Sequence, residues 1–244
     1  MNRFGFSAYK QADIISVFLL LLFALAIFLP RRAAPIDLRM DAAVYYVLGT
    51  SLAHGTGYSL LNEPGNISAV QYPPFVPDII AADQVLIATS DSLAIGRSLK
   101  WLWFVFFLLL LYCTYCYLAL DLPVLWAFIG AAMCLINVQL LFYSNQCSAE
   151  IPFATISMAF TLLHRKRSEG LLKNGKKPLA CVRGSESALA AILGISAFFC
   201  RTIGIALLGA WILDALARRQ VRHAILRSSL AAACLLSWAF TFTQ

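Results

Sequence analysis

"LKWLWFVFFLLLLYCTYCYLAL", residues 99–120, carries a single charge, Lys100, and its reading decides the fold. A helix that crosses a bilayer needs about 20 mostly apolar residues, and this stretch is long enough. Comparable runs lie at Asp13–Leu29, Leu122–Tyr143, Ile151–Leu163, Ser185–Cys200, Ile203–Ala217 and Ala224–Phe242. The whole chain of 244 residues is 61% hydrophobic and only 13% charged, with a mean hydropathy of +0.77. A soluble domain carries about a quarter charged residues, so too little polar surface is left here to cover a globule. The expectation is an all-α, polytopic transmembrane helical bundle of about seven spans. The formal net charge of +7 does not point to nucleic acid, because apolar spans separate the charges.

Local signals refine this picture. Seven cysteines are present, and the Cys113–Cys116 pair lies inside an apolar span. There it reads as small packing residues rather than a redox or metal motif. Arg3 and Lys10 ahead of the apolar stretch Ile14–Pro30 have the outline of a secretory signal, but Arg31 and Arg32 follow directly, so a retained first span is expected. Lys/Arg bias orients the bundle. Arg165, Lys166, Arg167, Lys173, Lys176, Lys177 and Arg183 crowd the loop 164–184, which is expected in the cytoplasm. Arg218, Arg219, Arg222 and Arg227 form a second cytoplasmic patch, and Arg3 and Lys10 hold the N-terminus inside. Alternating seven spans satisfies all three assignments.

The outer side then contains one long loop, 31–98, and one short one, 144–150. In "MDAAVYYVLGTSLAHGTGYS", residues 40–59, Val44, Tyr45, Leu48 and Leu52 recur at helical spacing. Asp41 is placed to cap that helix and Gly55 to end it, and the tyrosines near its start suit a helix lying in the interface. "YPPFVP", residues 72–77, predicts a stiff turn, with a second interfacial helix from Pro77 to about Ala88.

Candidate chemistry gathers on this outer face. Asp41, about ten residues beyond a span, is held at headgroup depth, where a carboxylate takes a proton from an acceptor, helps hold a metal, or merely caps its helix. Glu150 stands at the outer mouth of the fourth span. It faces a cavity or partner, or sits in water where the helix dipole favours it. Arg201, between two apolar stretches, either snorkels to the interface or holds an anionic lipid phosphate. Arg97 and Lys100 are candidates of the same kind. Tyr45, Tyr58 and Tyr72 are suited to stacking on sugar rings and equally to anchoring at the interface. His54 reads as a polar helix end. Asn66-Ile67-Ser68 is a glycosylation sequon on the outer loop.

Taken in order, the first span, Asp41, Tyr45, Gly55-x-Gly57-Tyr58, Pro64 and Tyr72-Pro73-Pro74 resemble the first outer loop of GT-C glycosyltransferases. The nearest likeness is to the dolichyl-phosphate-mannose protein mannosyltransferase-like group, which includes the bacterial lipid A aminoarabinose transferases. Ala149-Glu150, the basic loop and Arg201-Thr-Ile-Gly204 continue it from about residue 10 to the end of the chain. The resemblance implies transfer of a sugar from a polyprenyl-phosphate carrier to a lipid, glycan or protein acceptor on the non-cytoplasmic face. Asp41 would then be the base, Glu150 a second acidic site residue, and Arg201 a ligand of the donor phosphate. A divalent metal is the one cofactor implied, and Ala42, where many relatives carry a second acid, argues against one held there. Relatives commonly have further spans, so residues 1–244 are expected to form the N-terminal module, with the C-terminal module absent. Compact loops and the lack of a retention signal favour a bacterial inner membrane.

Two other classes compete. A transporter subunit calls for broken or charged helix centres and internal repeats, whereas these spans have apolar centres. A non-catalytic or degenerate membrane protein would keep the same motifs.

Overall fold

The computed structural model describes residues 3–34, 36–65, 67–68, 71–174 and 180–241. Ten α-helices account for most of them: α1 (Arg3–Phe28), α2 (Asp41–Ala53), α3 (Phe75–Ile87), α4 (Ser92–Leu118), α5 (Val124–Ile136), α6 (Val138–Tyr143), α7 (Glu150–Asn174), α8 (Ala180–Cys200), α9 (Ile205–Ala217) and α10 (Val221–Thr241). Among the described residues no strand forms, only two isolated bridges, Asp37–Gln146 and Ser59–Ser68. Lys176 and Lys177 of the basic loop, and Asn66 of the sequon, lie outside the described residues.

The structure is all-helical, as expected, but the spans differ in kind. Three stretches, Gln11–Arg31, Ser92–Leu118 and Val221–Phe240, are long and apolar enough to cross a membrane. Of the remaining expected spans, Ile151–Leu163 lies within the unbroken helix α7, and the others are shorter or interrupted. The run Leu122–Tyr143 breaks at Asn137, which adopts an extended conformation and whose side chain accepts a hydrogen bond from the Leu140 amide at 3.0 Å. Asparagine competes in this way with the helix backbone and starts a new helix, α6. The run after Cys200 likewise begins with extended Arg201 and a 3-10 turn, Thr202–Gly204, before α9.

Packing rests on close approach more than on area, since lipid tails are as apolar as the side chains they would replace. Trp103 of α4 is fully buried and donates from Nε1 to the Ser148 carbonyl at 2.9 Å. Thr155 of α7 donates from Oγ1 to the Phe106 carbonyl of α4 at 2.9 Å, which locks these two helices together. Phe28 of α1 stacks on Phe104 of α4 with ring centroids 4.0 Å apart. Gly204 lets α9 start against α8: a Cβ there would lie 2.4 Å from the Ala197 carbonyl carbon and 2.5 Å from the Phe198 amide nitrogen.

Polar contacts sort the bundle into two ends. At one, Arg31 donates to the Leu141 carbonyl (2.7 Å), the Asp37 amide donates to the Asn145 carbonyl (3.1 Å), and Arg201 meets Glu150. At the other, Tyr115 donates to Asp13 (2.6 Å), Arg165 pairs with Asp121, and Asp214 gathers His164, Arg218 and Arg227.

Candidate active site

Helix α2 begins with a compromise. Asp41 was the expected N-cap, yet it is the first helical residue, and Met40 occupies the cap position at φ 57°, ψ −135° with no side-chain cap bond. A non-glycine residue at such a φ costs about 1–3 kcal/mol and persists only where its surroundings impose it. The result is that the Asp41 carboxylate is exposed instead of being turned back onto its own helix. The other end of α2 follows the sequence closely. Gly55 takes φ 70°, its amide donates to the Leu52 carbonyl (3.0 Å), and the Thr56 amide donates to the Ser51 carbonyl (3.0 Å). These two bonds form a Schellman cap.

The Gly-x-Gly-Tyr stretch has a structural task. The buried Ser51 hydroxyl donates to the Gly57 carbonyl at 2.7 Å and lies 2.8 Å from Thr56 Oγ1 and 3.0 Å from Ser59 Oγ. This pins the turn that delivers Tyr58, whose hydroxyl donates to the Tyr72 carbonyl at 2.8 Å. Burial, then the charges of neighbouring groups, pushes the Tyr58 hydroxyl well up from its ordinary value. Tyr58 is thus turned inward as a support for Tyr72.

Tyr72 in turn packs edge-on against Tyr45 with ring centroids 5.4 Å apart. Its hydroxyl faces Asp41: burial first, then the charge and hydrogen bonding of that carboxylate, push it up. Tyr45, 5% exposed, connects the rest. Burial raises its hydroxyl, and the charges of Asp41 and Glu150 raise it further while Arg201 opposes them. With Tyr72 packed on the same ring, the Tyr45 hydroxyl thus feels the charges of Asp41, Glu150 and Arg201.

Each of the last two arrives on its own helix. Glu150 opens α7 after Ser144–Ala149, a non-helical segment buried at nearly every position. Within it the Asn145 carbonyl accepts from the Asp37 amide, tying this segment to the start of the outer loop. Sequence reasoning passed over that segment, although its polar run Ser144-Asn145-Gln146 between apolar stretches is a visible signal. Arg201 links α8 to α9, and its Nη1 donates to Glu150 Oε1 at 2.9 Å, with Arg201 still 43% exposed and Glu150 25%. The N-termini of α2 and α7 carry Asp41 and Glu150 in their first turns, which answer their partial positive charge. Arg201, half-exposed beside Glu150, is therefore the group here that can meet an anion.

Two expected site residues fall elsewhere. Lys100 is 2% exposed, and its Nζ donates to the Arg31 and Ala34 carbonyls at 2.6 and 2.9 Å. The ammonium thus ties α4 to the chain as it leaves the turn after α1, where the Arg31 carbonyl also accepts from the Ala34 amide (3.3 Å); it is not available to substrate. Arg97 stands exposed on α4, and among the described residues no hydrogen bond or ion pair joins it to Asp41, Glu150 or Arg201. Nor does the donor set fit a divalent metal. Among the described residues no three His, Cys, Asp or Glu side chains converge, and Glu150 already carries Arg201.

Compared with known protein families, curated proteins and solved structures, the chain matches none of them.

Proposed function

We propose that the protein is a membrane glycosyltransferase of the GT-C type, or the front module of one. It moves a sugar from a polyprenyl-phosphate carrier to an acceptor on the non-cytoplasmic face, with seven spans and the Arg-rich end in the cytoplasm. The observation that supports this reading is the Arg201–Glu150 ion pair (2.9 Å) beside Tyr45, whose hydroxyl also feels the Asp41 charge. One carboxylate is exposed to incoming solute, and one half-exposed guanidinium offers a phosphate its planar fork.

The chemistry follows from those charges. The acceptor's O–H loses its proton to Asp41 as its oxygen bonds to the sugar's anomeric carbon. The bond from that carbon to the carrier phosphate breaks, and its electron pair leaves on the phosphate. Arg201 stabilises the departing anion, and such stabilisation of developing charge is among the larger contributions an enzyme makes. Glu150 holds the guanidinium in place, and Tyr72, itself held by Tyr58, orients the Asp41 carboxylate. Attack by the acceptor from the side opposite the leaving phosphate inverts the anomeric centre.

Asp41→Asn removes the base and keeps the shape. The expected result is loss of transfer from a polyprenyl-phosphate sugar in membranes, with expression and insertion at wild-type levels. Normal turnover in this variant would overturn the mechanism.

A further inference from the structure

Helices α2 and α3 have a second end, about 20 Å of helix rise from Asp41. The two run parallel: Tyr45 meets Tyr72, Gly49 lies against Pro77 and Ile80, and Gln84 donates to Thr50 Oγ1 at 2.9 Å. Where they finish, a cleft of about 360 Å³ opens beside the start of α4. Its polar lining is Tyr46, Thr50, His54, Gln84, Thr89 and Ser90, set among small aliphatic side chains. None of these takes part in the cluster around Tyr45.

We infer that this cleft binds an uncharged sugar ring, at a subsite that rejects phosphorylated groups. The inference rests on the transferase reading and adds to it a second sugar subsite. Two features carry it.

The first is electrostatic. No Lys or Arg lines the cleft. Helices α2 and α3 both end on its wall, at His54 and Ala88, so two negative dipole ends face it. Helix α4 begins there, but the Asp91 carboxylate accepts from the Leu93 amide at 3.0 Å and closes that terminus with a negative group. An anion is therefore disfavoured here.

The second is the lining itself. Hydroxyl, amide and imidazole groups alternate with the aliphatic surfaces of Ala53, Val85 and Ala88. A sugar ring offers the matching pair, a hydroxyl edge and an apolar C–H face. Gln84 is 7% exposed and already fixed by Thr50, so one of these polar groups is preorganised.

Thr50 stands nine residues beyond Asp41 on the same helix, about 13 Å along its axis and, at about 100° per residue, on the opposite face, so the cleft is a subsite apart from the carboxylate.

The test uses the full chain purified in a detergent without a sugar headgroup, and saturation-transfer NMR. The probes are three neutral disaccharides (mannobiose, cellobiose and chitobiose) and mannose 6-phosphate. At least one neutral disaccharide should bind in the millimolar range, and more tightly than the phosphorylated sugar. His54→Ala with Ser90→Ala, both at the exposed rim, should weaken it by about five-fold. Ser90→Trp, which fills the cleft, should abolish it. Asp41→Asn should leave it unchanged. No signal from any disaccharide at about 50 mM, equal binding of mannose 6-phosphate, or insensitivity to the rim changes would overturn the subsite. Binding that persists while Asp41→Asn retains full transfer would overturn the base and spare the cleft, so the two readings fail separately.

Discussion

Gly204→Ala should damage this protein far more than its size suggests, because the new methyl group would meet backbone. Its Cβ would lie 2.4 Å from the Ala197 carbonyl carbon and 2.5 Å from both the Ala197 oxygen and the Phe198 nitrogen. An ordinary contact is about 3.5–4 Å, so α8 and the 3-10 turn must separate by about 1 Å. No rotamer change relieves backbone atoms. Overpacking of this kind costs about 1–3 kcal/mol, and in a chain of this length each kcal/mol lowers the melting temperature by about 2–4 °C. The turn also aims Arg201, whose amide lies on the Ala197 carbonyl (3.0 Å) and whose own carbonyl accepts from Gly204 (2.7 Å). Ion pairing with Glu150 should therefore weaken as well. The control is in the next helix: a Cβ at Gly209 of α9 meets nothing within 4 Å. Gly209→Ala should raise stability by about 0.5–1 kcal/mol through helix propensity alone. Tryptophan fluorescence during thermal unfolding of both variants in detergent separates the two effects. Equal melting temperatures for Gly204→Ala and Gly209→Ala would refute the reasoning.

Two further substitutions probe the frame around the site. Lys100→Met should destabilise by about 1 kcal/mol, because it removes the donor that ties α4 to the Arg31 and Ala34 carbonyls; chemical unfolding checks it, and a neutral result would show that these bonds add nothing to the fold. Asp83 is held above the usual carboxylate range by burial, and its Oδ2 has no partner while Oδ1 accepts from Ser98 at 2.8 Å. A raised carboxyl stabilises the fold at low pH and loses that contribution as pH rises from the unfolded value of 3.8 through the folded one. Asp83→Asn should thus gain about 1 kcal/mol at neutral pH and flatten the acid side of a stability-against-pH curve.

Much of this arrangement can be read from the residues, and the misses share one cause. Gly55 ends α2 because only a residue that tolerates positive φ closes that cap, a purely local requirement. Helix α3 ends at Ile87 with Ala88 as its C-cap, close to the expected end, but starts at Phe75, two residues before Pro77, since proline is accepted within a first turn where its amide would be unpaired. Asn137, by contrast, sits in an apolar run whose period gives no warning, and only its own side chain turning onto the backbone divides α5 from α6. Lys100 looked like a phosphate ligand because its position along the chain is right. Its partners, the carbonyls of Arg31 and Ala34, become visible only when α1 and α4 are packed. Asp41, Glu150 and Arg201 are each ambiguous alone, and their shared influence on Tyr45 depends on three separate helix ends. Tyr58 could not be assigned to Tyr72 from sequence, because that contact is to a backbone atom with no identity of its own.

The most direct test of the central claim is proximity. Cysteines placed at positions 41 and 150, in a chain cleared of its native thiols, should be joined by a short bifunctional reagent in intact membranes. They should also be protected from it by an anion that competes for Arg201. If each single cysteine reacts with a thiol probe while the pair fails to cross-link, the two carboxylates do not share a pocket and the proposed chemistry has no site.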